Sequence, residues 1–171
     1  MSDDHASVRL LVELFHGELQ RLAHHERLRF GGRSATLNTT ALVHEAYLKL
    51  AREDSFRDRG HFLATAALAM RQVLVGEARR RLSDKRGRGE STLPLDAVEI
   101  PLSQPEARIV ALDEALQRLA LSQPRLAQVV ECRYFAGYTE PETAEALGVT
   151  DRTVQRDWAK ARALLYEALA D

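Results

Sequence analysis

A single cysteine, Cys132, stands among 171 residues, so no internal disulfide can brace the chain and no Cys-x-x-Cys metal site can form. It lies among Val129, Val130 and Tyr134 in a helical pattern, where a buried structural thiol is expected. Long apolar runs are missing too. No window approaches the roughly 20 residues of a membrane span, and the opening MSDDHASVR lacks the basic and apolar regions of a signal peptide. Those absences argue against a membrane contact and point to the cytoplasm. No His-Glu-x-x-His spacing occurs, and His24, His25, His44, Glu45 and His61 share no ligand pattern, so surface histidines and no metal are expected. Gly31, Gly32, Gly87 and Gly89 lack the flanking pattern of a phosphate loop, and no nucleophile motif is present. Neither an enzyme nor a cofactor is expected. Sustained alternation of apolar and polar residues is absent throughout, which makes the fold class all-α.

The net charge of -1 is a weak argument against nucleic-acid binding by bulk charge alone, but the charge is unevenly spread. Arg79, Arg80, Arg81, Lys85, Arg86 and Arg88 form a basic run. Glu90, Asp96, Glu99, Glu106, Asp113 and Glu114 make the next stretch acidic. Phosphate affinity is set by local patches, so a neutral total is compatible with a basic binding face. A solvated helix end is the plainer account of the arginines, since cations are favourable at a helix C-terminus.

What the chain does contain is a run from Thr139 to Arg162 that reads as two short helices joined by a glycine turn. Thr139 with Glu142 makes a capping box, and Pro141 falls in the first turn, where a missing N–H is tolerated. Leu147 ends the first helix, Gly148 supplies the left-handed turn residue, and Thr150 caps the second. Ala144 is small where the helices cross, and Leu147, Val149, Val154 and Trp158 form one apolar seam. Arg152, Thr153, Gln155, Arg156 and Lys160 are left on the outer face of the second helix. These side chains hydrogen-bond to base edges and phosphates when a helix lies in a major groove. The plainer alternative is a helical hairpin with a solvated charged face.

Elsewhere, Val8, Leu11, Val12, Phe15, Leu19, Leu22 and Ala23 mark an amphipathic helix. A second begins at Thr39 or Thr40, with Leu42, Val43, Ala46, Tyr47 and Leu50 as its apolar positions, and ends before Asp54. A loop with Gly60 leads to a third helix from Phe62 to Arg81, whose core face is Phe62, Ala66, Ala69, Met70, Val73 and Leu74. Residues Ser83 to Gln104 hold Gly87, Gly89, Pro94 and Pro101 without helical period and read as a linker. Pro105 suits the start of a helix with Ile109, Leu112, Leu116 and Leu119 inside. Ser122 is a candidate cap for another, with Pro124 in its first turn and Leu126, Val129, Val130 and Tyr134 inside.

This order of elements, with ALVHEAYLKL in a three-helix unit and TAEALGVTDRTVQRDWAKAR closing a four-helix unit, resembles a bacterial sigma factor of the extracytoplasmic-function (ECF) type. The resemblance covers nearly the whole chain. It implies a sigma region 2-like domain over 1–83, a linker over 84–104, and a region 4-like helix-turn-helix domain over 105–171. The implied partners are RNA polymerase core, through its clamp coiled coil and flap, and promoter DNA. By the same resemblance Thr40, Ala41, His44, Glu45, Tyr47 and Ala51 face the polymerase. Phe56, Arg57, Arg59, His61, Arg71, Gln72, Arg79 and Arg80 match the segments that open DNA and read the minus-ten element, where single strands need stacking surfaces and cations. Of the aromatics, Tyr47, Phe62 and Trp158 sit on apolar helical faces and belong to the core or an interface, which leaves Phe56 as the stacking candidate. The second helix of the helix-turn-helix would read the minus-thirty-five element.

Many members carry an acidic residue where this chain has Ala41 and a glutamine where it has His44, which weakens the docking charge. Thr39 and Thr40 stand directly before Ala41. A phosphate there would restore up to about two negative charges at a helix N-terminus. Some branches of the family are switched on by a serine/threonine kinase, so Thr40, and next to it Thr39, are the phosphorylation candidates; the plainer role is an N-cap. An anti-sigma factor is the other regulator the resemblance implies. The rival function is a helix-turn-helix regulator that never joins polymerase and binds a palindromic site as a dimer.

Overall fold

The computed structural model describes residues 39–53, 55–87 and 105–170. The expected helix around Val8–Ala23 and most of the expected linker lie outside them. Among the described residues six helices follow one another: α1 (Thr39–Leu50), α2 (Arg59–Gly87), α3 (Pro105–Ser122), α4 (Pro124–Val130), α5 (Glu140–Leu147) and α6 (Asp151–Ala170). A π turn, Glu131–Phe135, prolongs α4. No strand occurs among the described residues.

α2 begins at Arg59, earlier than the expected Phe62, because Asp58 caps it: the Asp58 Oδ1 accepts from the His61 N–H at 2.7 Å. Gly60 therefore belongs to the first turn of the helix and not to a loop. Its lack of a side chain has a packing reason, since a Cβ there would collide with the carbonyl oxygen of Glu145 on α5. At its other end α2 runs past Ser83 to Gly87, so the first residues of the expected linker are helical. The i,i+4 pair of Arg80 and Asp84, 3.5 Å apart, spans that last stretch. Ser122 is not a cap. It is the last residue of α3, its Oγ donates back to the Leu119 carbonyl at 3.4 Å, and Gln123 takes the N-cap place without a side-chain bond.

One face of α2 was legible as core, and Phe62, Ala66, Ala69, Met70, Val73 and Leu74 are all buried. Leu63, Ala67, Val75 and Ala78 are buried as well. A helix apolar on more than one side must be covered on more than one side. α1 packs against it, and so do α3, α5 and the π turn. The result is one continuous core from Ala46 and Leu50 through α2 to Leu116, Phe135 and Leu165. Tyr138 fastens it: its buried hydroxyl donates to the Leu63 carbonyl at 2.7 Å, across 75 residues of sequence.

Candidate nucleic-acid interface

The helix-turn-helix forms as its residues dictate. Thr139 Oγ1 accepts from the Glu142 N–H at 3.3 Å while the Glu142 carboxylate accepts from the Thr139 N–H at 2.7 Å, closing the capping box. Gly148 adopts φ 65°, ψ 36°, and its N–H closes the helix on the Glu145 carbonyl at 3.4 Å. Thr150 Oγ1 then accepts from the Thr153 N–H at 3.3 Å and starts α6. Val129, Ala144 and Val154 are buried together, with Leu147, Val149 and Trp158 packed against them. The seam thus fixes the angle at which α6 leaves the turn.

On α6, Arg152, Gln155, Arg156 and Lys160 are exposed. Arg152, Arg156 and Lys160 recur every four residues and make one basic stripe. Two of the expected readers have other duties. Thr153 is half-buried and shares the cap, its hydroxyl 3.0 Å from that of Thr150. Gln155 donates to the Glu140 carboxylate at 2.7 Å, bridging α6 to α5. Trp158 is half-buried and packs against the core, and the guanidiniums of Arg133 and Arg162 lie 5.6 and 5.9 Å from its ring centroid.

The sequence reading missed Arg125 and Asp157. Asp157 is 3% exposed, and its carboxylate accepts from Arg125 Nε at 2.6 Å and lies 3.6 Å from Arg156 Nε. A buried carboxylate among basic residues orients its neighbours. With Pro124, these residues and Lys160 border a cleft of about 420 Å³ beside the basic stripe. The available signal was Asp157 itself, an acid one place after Arg156 on an otherwise basic helix.

The second candidate surface, at α1 and α2, departs further from expectation. Phe56 is half-buried and meets the Phe62 ring edge-on at 5.1 Å and the His61 ring at 5.8 Å. It is packed against the core instead of standing free as a stacking platform. The Arg57 N–H donates to His61 Nδ1 at 3.3 Å, and Arg59 pairs with Glu145 at 3.4 Å. Gln72 is exposed. Arg80 faces outward, held by Glu77 at 2.6 Å. Burial pushes the Glu77 carboxyl up, but the Arg80 and Arg81 guanidiniums outweigh it and hold its pKa below the ordinary value, while the hydrogen bond that Arg80 donates to Glu77 raises the pKa of Arg80.

Arg71 is the largest departure. Its side chain is 14% exposed, with Nε 2.8 Å from Asp113 Oδ1 and Nη1 3.1 Å from Glu131 Oε1. Arg79 reaches the other Asp113 oxygen at 3.3 Å, Gln117 donates to that oxygen at 2.8 Å, and Arg81 lies 3.8 Å from Glu106. Arg79 and Arg81 of the basic run thus take Asp113 and Glu106 of the acidic stretch as counterions, while Arg80 pairs within α2 with Glu77 and Asp84. Burial raises the pKa of Glu131 above its ordinary value, and the nearby Asp113 charge adds to the rise; the bond from Arg71 opposes it and does not cancel it.

On α1, Thr39, Thr40 and Ala41 form the first turn, and their side chains lie outside the described residues. His44, Glu45 and Ala51 are exposed. The half-buried Tyr47 packs on the core and stacks against His44, ring centroids 6.4 Å apart. Leu48, 47% exposed, joins that outer face and was not among the expected residues. Cys132 is buried, and burial pushes its thiol pKa up to about 12.

Among the described residues no group of three or more His, Cys, Asp or Glu side chains is placed to hold a metal ion, and no helix is long and apolar enough to cross a membrane. A family model described as ECF sigma factor matches residues 2–171. No curated protein matches the chain, and no solved structure does.

Proposed function

The chain belongs to the ECF sigma factor family, whose members bind RNA polymerase core and promoter DNA to start transcription without catalysing a reaction, and we propose how its two surfaces divide that work. The observation that carries the reading is the basic stripe of Arg152, Arg156 and Lys160 on a helix whose exit angle is fixed by a capped glycine turn. We assign these residues, with Gln155, to duplex DNA at the minus-thirty-five element. Arg125 supplies a phosphate contact beside them. Thr153 serves the helix start rather than a base.

The outer face of α1, formed by His44, Glu45 and Leu48 and continued by Ala51 in the turn that follows, is the docking surface for the clamp coiled coil, with Thr40 and Ala41 at its leading end. Leu48 supports this reading, because a large apolar side chain left open beside charged ones suits a protein partner. A groove of about 660 Å³ between α3, the π turn and α6, floored by Leu112, Tyr134, Trp158 and Leu165 and rimmed by Arg108 and Arg162, is assigned to the flap. Arg71, Gln72, Arg79 and Arg80 lie along α2 and are assigned to the opened minus-ten strand. Phe56 contributes by fixing the start of α2 through Phe62. In this scheme 1–83 and 105–171 act as two binding units. Contacts tethered in one chain assist each other through effective concentration.

Phosphorylation of Thr40 is the proposed gate on docking. Ala41 leaves the first turn of α1 without an acid, and no acidic residue occurs there. The test is the affinity of the full chain for purified core polymerase, unmodified and as Thr40→Glu, at one salt concentration. Binding by the variant alone supports the gate; tight binding by both retires it. No binding by either favours the regulator that acts on DNA without polymerase.

A further inference from the structure

Gln155 stands between Arg152 and Arg156 on the exposed face of α6, and its Nε2 donates to Glu140 Oε2 on α5 at 2.7 Å. A carboxylate accepts hydrogen bonds and has no hydrogen to donate. The amide atom turned toward Glu140 must therefore be the nitrogen, and the oxygen points away. A free glutamine amide turns over readily and offers its donor and acceptor in either order; the Gln155 amide has lost that freedom to its partner. Nε2 spends one hydrogen on Glu140 and keeps a second, while Oε1 is left to accept. We propose that Glu140 is a positioning residue for base reading: by fixing which way the Gln155 amide faces, it makes Gln155 select adenine at one position of the minus-thirty-five element. In the major groove adenine presents an N7 acceptor and an N6 donor, the complement of a glutamine amide, whereas guanine presents two acceptors, N7 and O6. An amide free to turn escapes the clash of its oxygen with guanine, and one held by Glu140 does not. The inference rests on the assignment of Gln155 and its helix to duplex DNA.

Both ends of this bridge stand on fixed backbone. Glu140 is the first residue of α5, directly after the Thr139 cap and before Pro141. The buried Thr143 hydroxyl donates to the Thr139 carbonyl at 2.8 Å and ties down the same turn. Gln155 follows Val154, which is fully buried with Ala144 of α5 and Val129 of α4. A reading side chain whose partner and backbone are both held is ordered before DNA arrives, so it needs no ordering on contact. Glu140 also places a negative charge beside the face that meets phosphates, which opposes binding on every sequence alike. Its removal through charge alone would therefore change total affinity and leave the choice between two bases untouched. A change of base preference is the signature of the positioning role.

The test uses holoenzyme made with the full chain. Binding sites are selected from a duplex library randomised across the minus-thirty-five element, and the adenine-over-guanine preference at each position is measured by competition between labelled duplexes. Gln155→Ala identifies the position that Gln155 reads. Glu140→Gln is the discriminating variant, since an amide in place of the carboxylate either donates or accepts, and so keeps a bridge to Gln155 without dictating its direction. The expected result is that Gln155→Ala and Glu140→Gln each lower the adenine preference about tenfold at one shared position, within the span of a bidentate base contact. The double variant is expected to lose no more than Gln155→Ala alone, because the two residues act as one unit. A preference lost by Gln155→Ala and kept by Glu140→Gln overturns the positioning role and leaves base reading by Gln155 standing. A position read by Gln155 that prefers a base other than adenine overturns the proposed selection. A profile unchanged by Gln155→Ala removes Gln155 from the reading face, and the inference with it.

Discussion

Asp157, on α6, accepts a 2.6 Å hydrogen bond from Arg125, on α4, and so ties the helix assigned to base reading to the helix beneath it. The carboxylate is 3% exposed, whereas the Arg125 side chain is 52% exposed. An arginine that stays largely in water loses little when its partner goes, so the pair acts mainly by fixing where Arg125 points. Asp157→Asn is expected to lower stability by about 1 kcal/mol, the usual net worth of one hydrogen bond. It is also expected to weaken duplex binding alike on all sequences, with a salt slope shallower by about one, as for loss of one phosphate contact. Denaturant melts and salt titrations of holoenzyme on one promoter fragment check both.

Arg156 carries the opposite expectation. Its side chain is 71% exposed and meets only the edge of Asp157 at 3.6 Å, so Arg156→Ala should leave stability unchanged. Removal of a base-reading arginine costs about 1–3 kcal/mol and relaxes the preference at one position. Selection of binding sites from a randomised minus-thirty-five library would reveal it. A variant that weakens all sites uniformly would move Arg156 to the phosphate contacts.

The turn before α6 offers a stability test. Gly148 sits at φ 65° with open space around it, so an alanine there meets no neighbour and bears only the left-handed backbone cost of about 1–2 kcal/mol. Thr139→Ala, which opens the capping box, should cost about 1 kcal/mol. Thermal melts of the two single variants and the double are the check. Losses that add would mean the two ends of α5 are independent.

Glu131 gives a pH signature. Its folded pKa is raised by burial above the ordinary 4.5, so above that pH the native state holds a proton that the unfolded chain has released. Stability from this group is then fully present below the unfolded value and is lost as pH rises through the folded one. Stability of the parent relative to Glu131→Gln should therefore fall as pH is raised from 4.5 and level off once the carboxyl has ionised. A difference that rises with pH would show that the bond from Arg71 outweighs the burial.

Cys132, 1% exposed and with its thiol pushed up to about 12, should resist alkylation in the native chain near neutral pH, since the thiolate is the reactive form. Full labelling is expected only in denaturant. Rapid native labelling would mean that the π turn opens readily.

The helix-turn-helix was legible because its information is local. Thr139, Glu142, Gly148 and Thr150 each act within a few residues, through caps and a turn that any chain of that sequence would form. The start of α2 is local too, but Asp58 went unread as its cap, and Gly60 in the sequence resembles a loop residue. Only the backbone of Glu145, far away in sequence, gives that glycine its reason.

The sequence by itself determined that this chain is helical, where the helix-turn-helix lies, which side of α6 is basic, and that Cys132 is buried, because periodicity, capping and turn chemistry are short-range. Tertiary structure alone decided which charges are spent on one another. Arg71 and Asp113, Arg79 and Asp113, Arg81 and Glu106 are remote in sequence, and a composition near neutral allows any pairing among them. The second apolar stripe of α2 had to be covered, and the helices that covered it brought their carboxylates to its arginines. Burial then made those contacts selective, since a charge taken out of water must find its opposite.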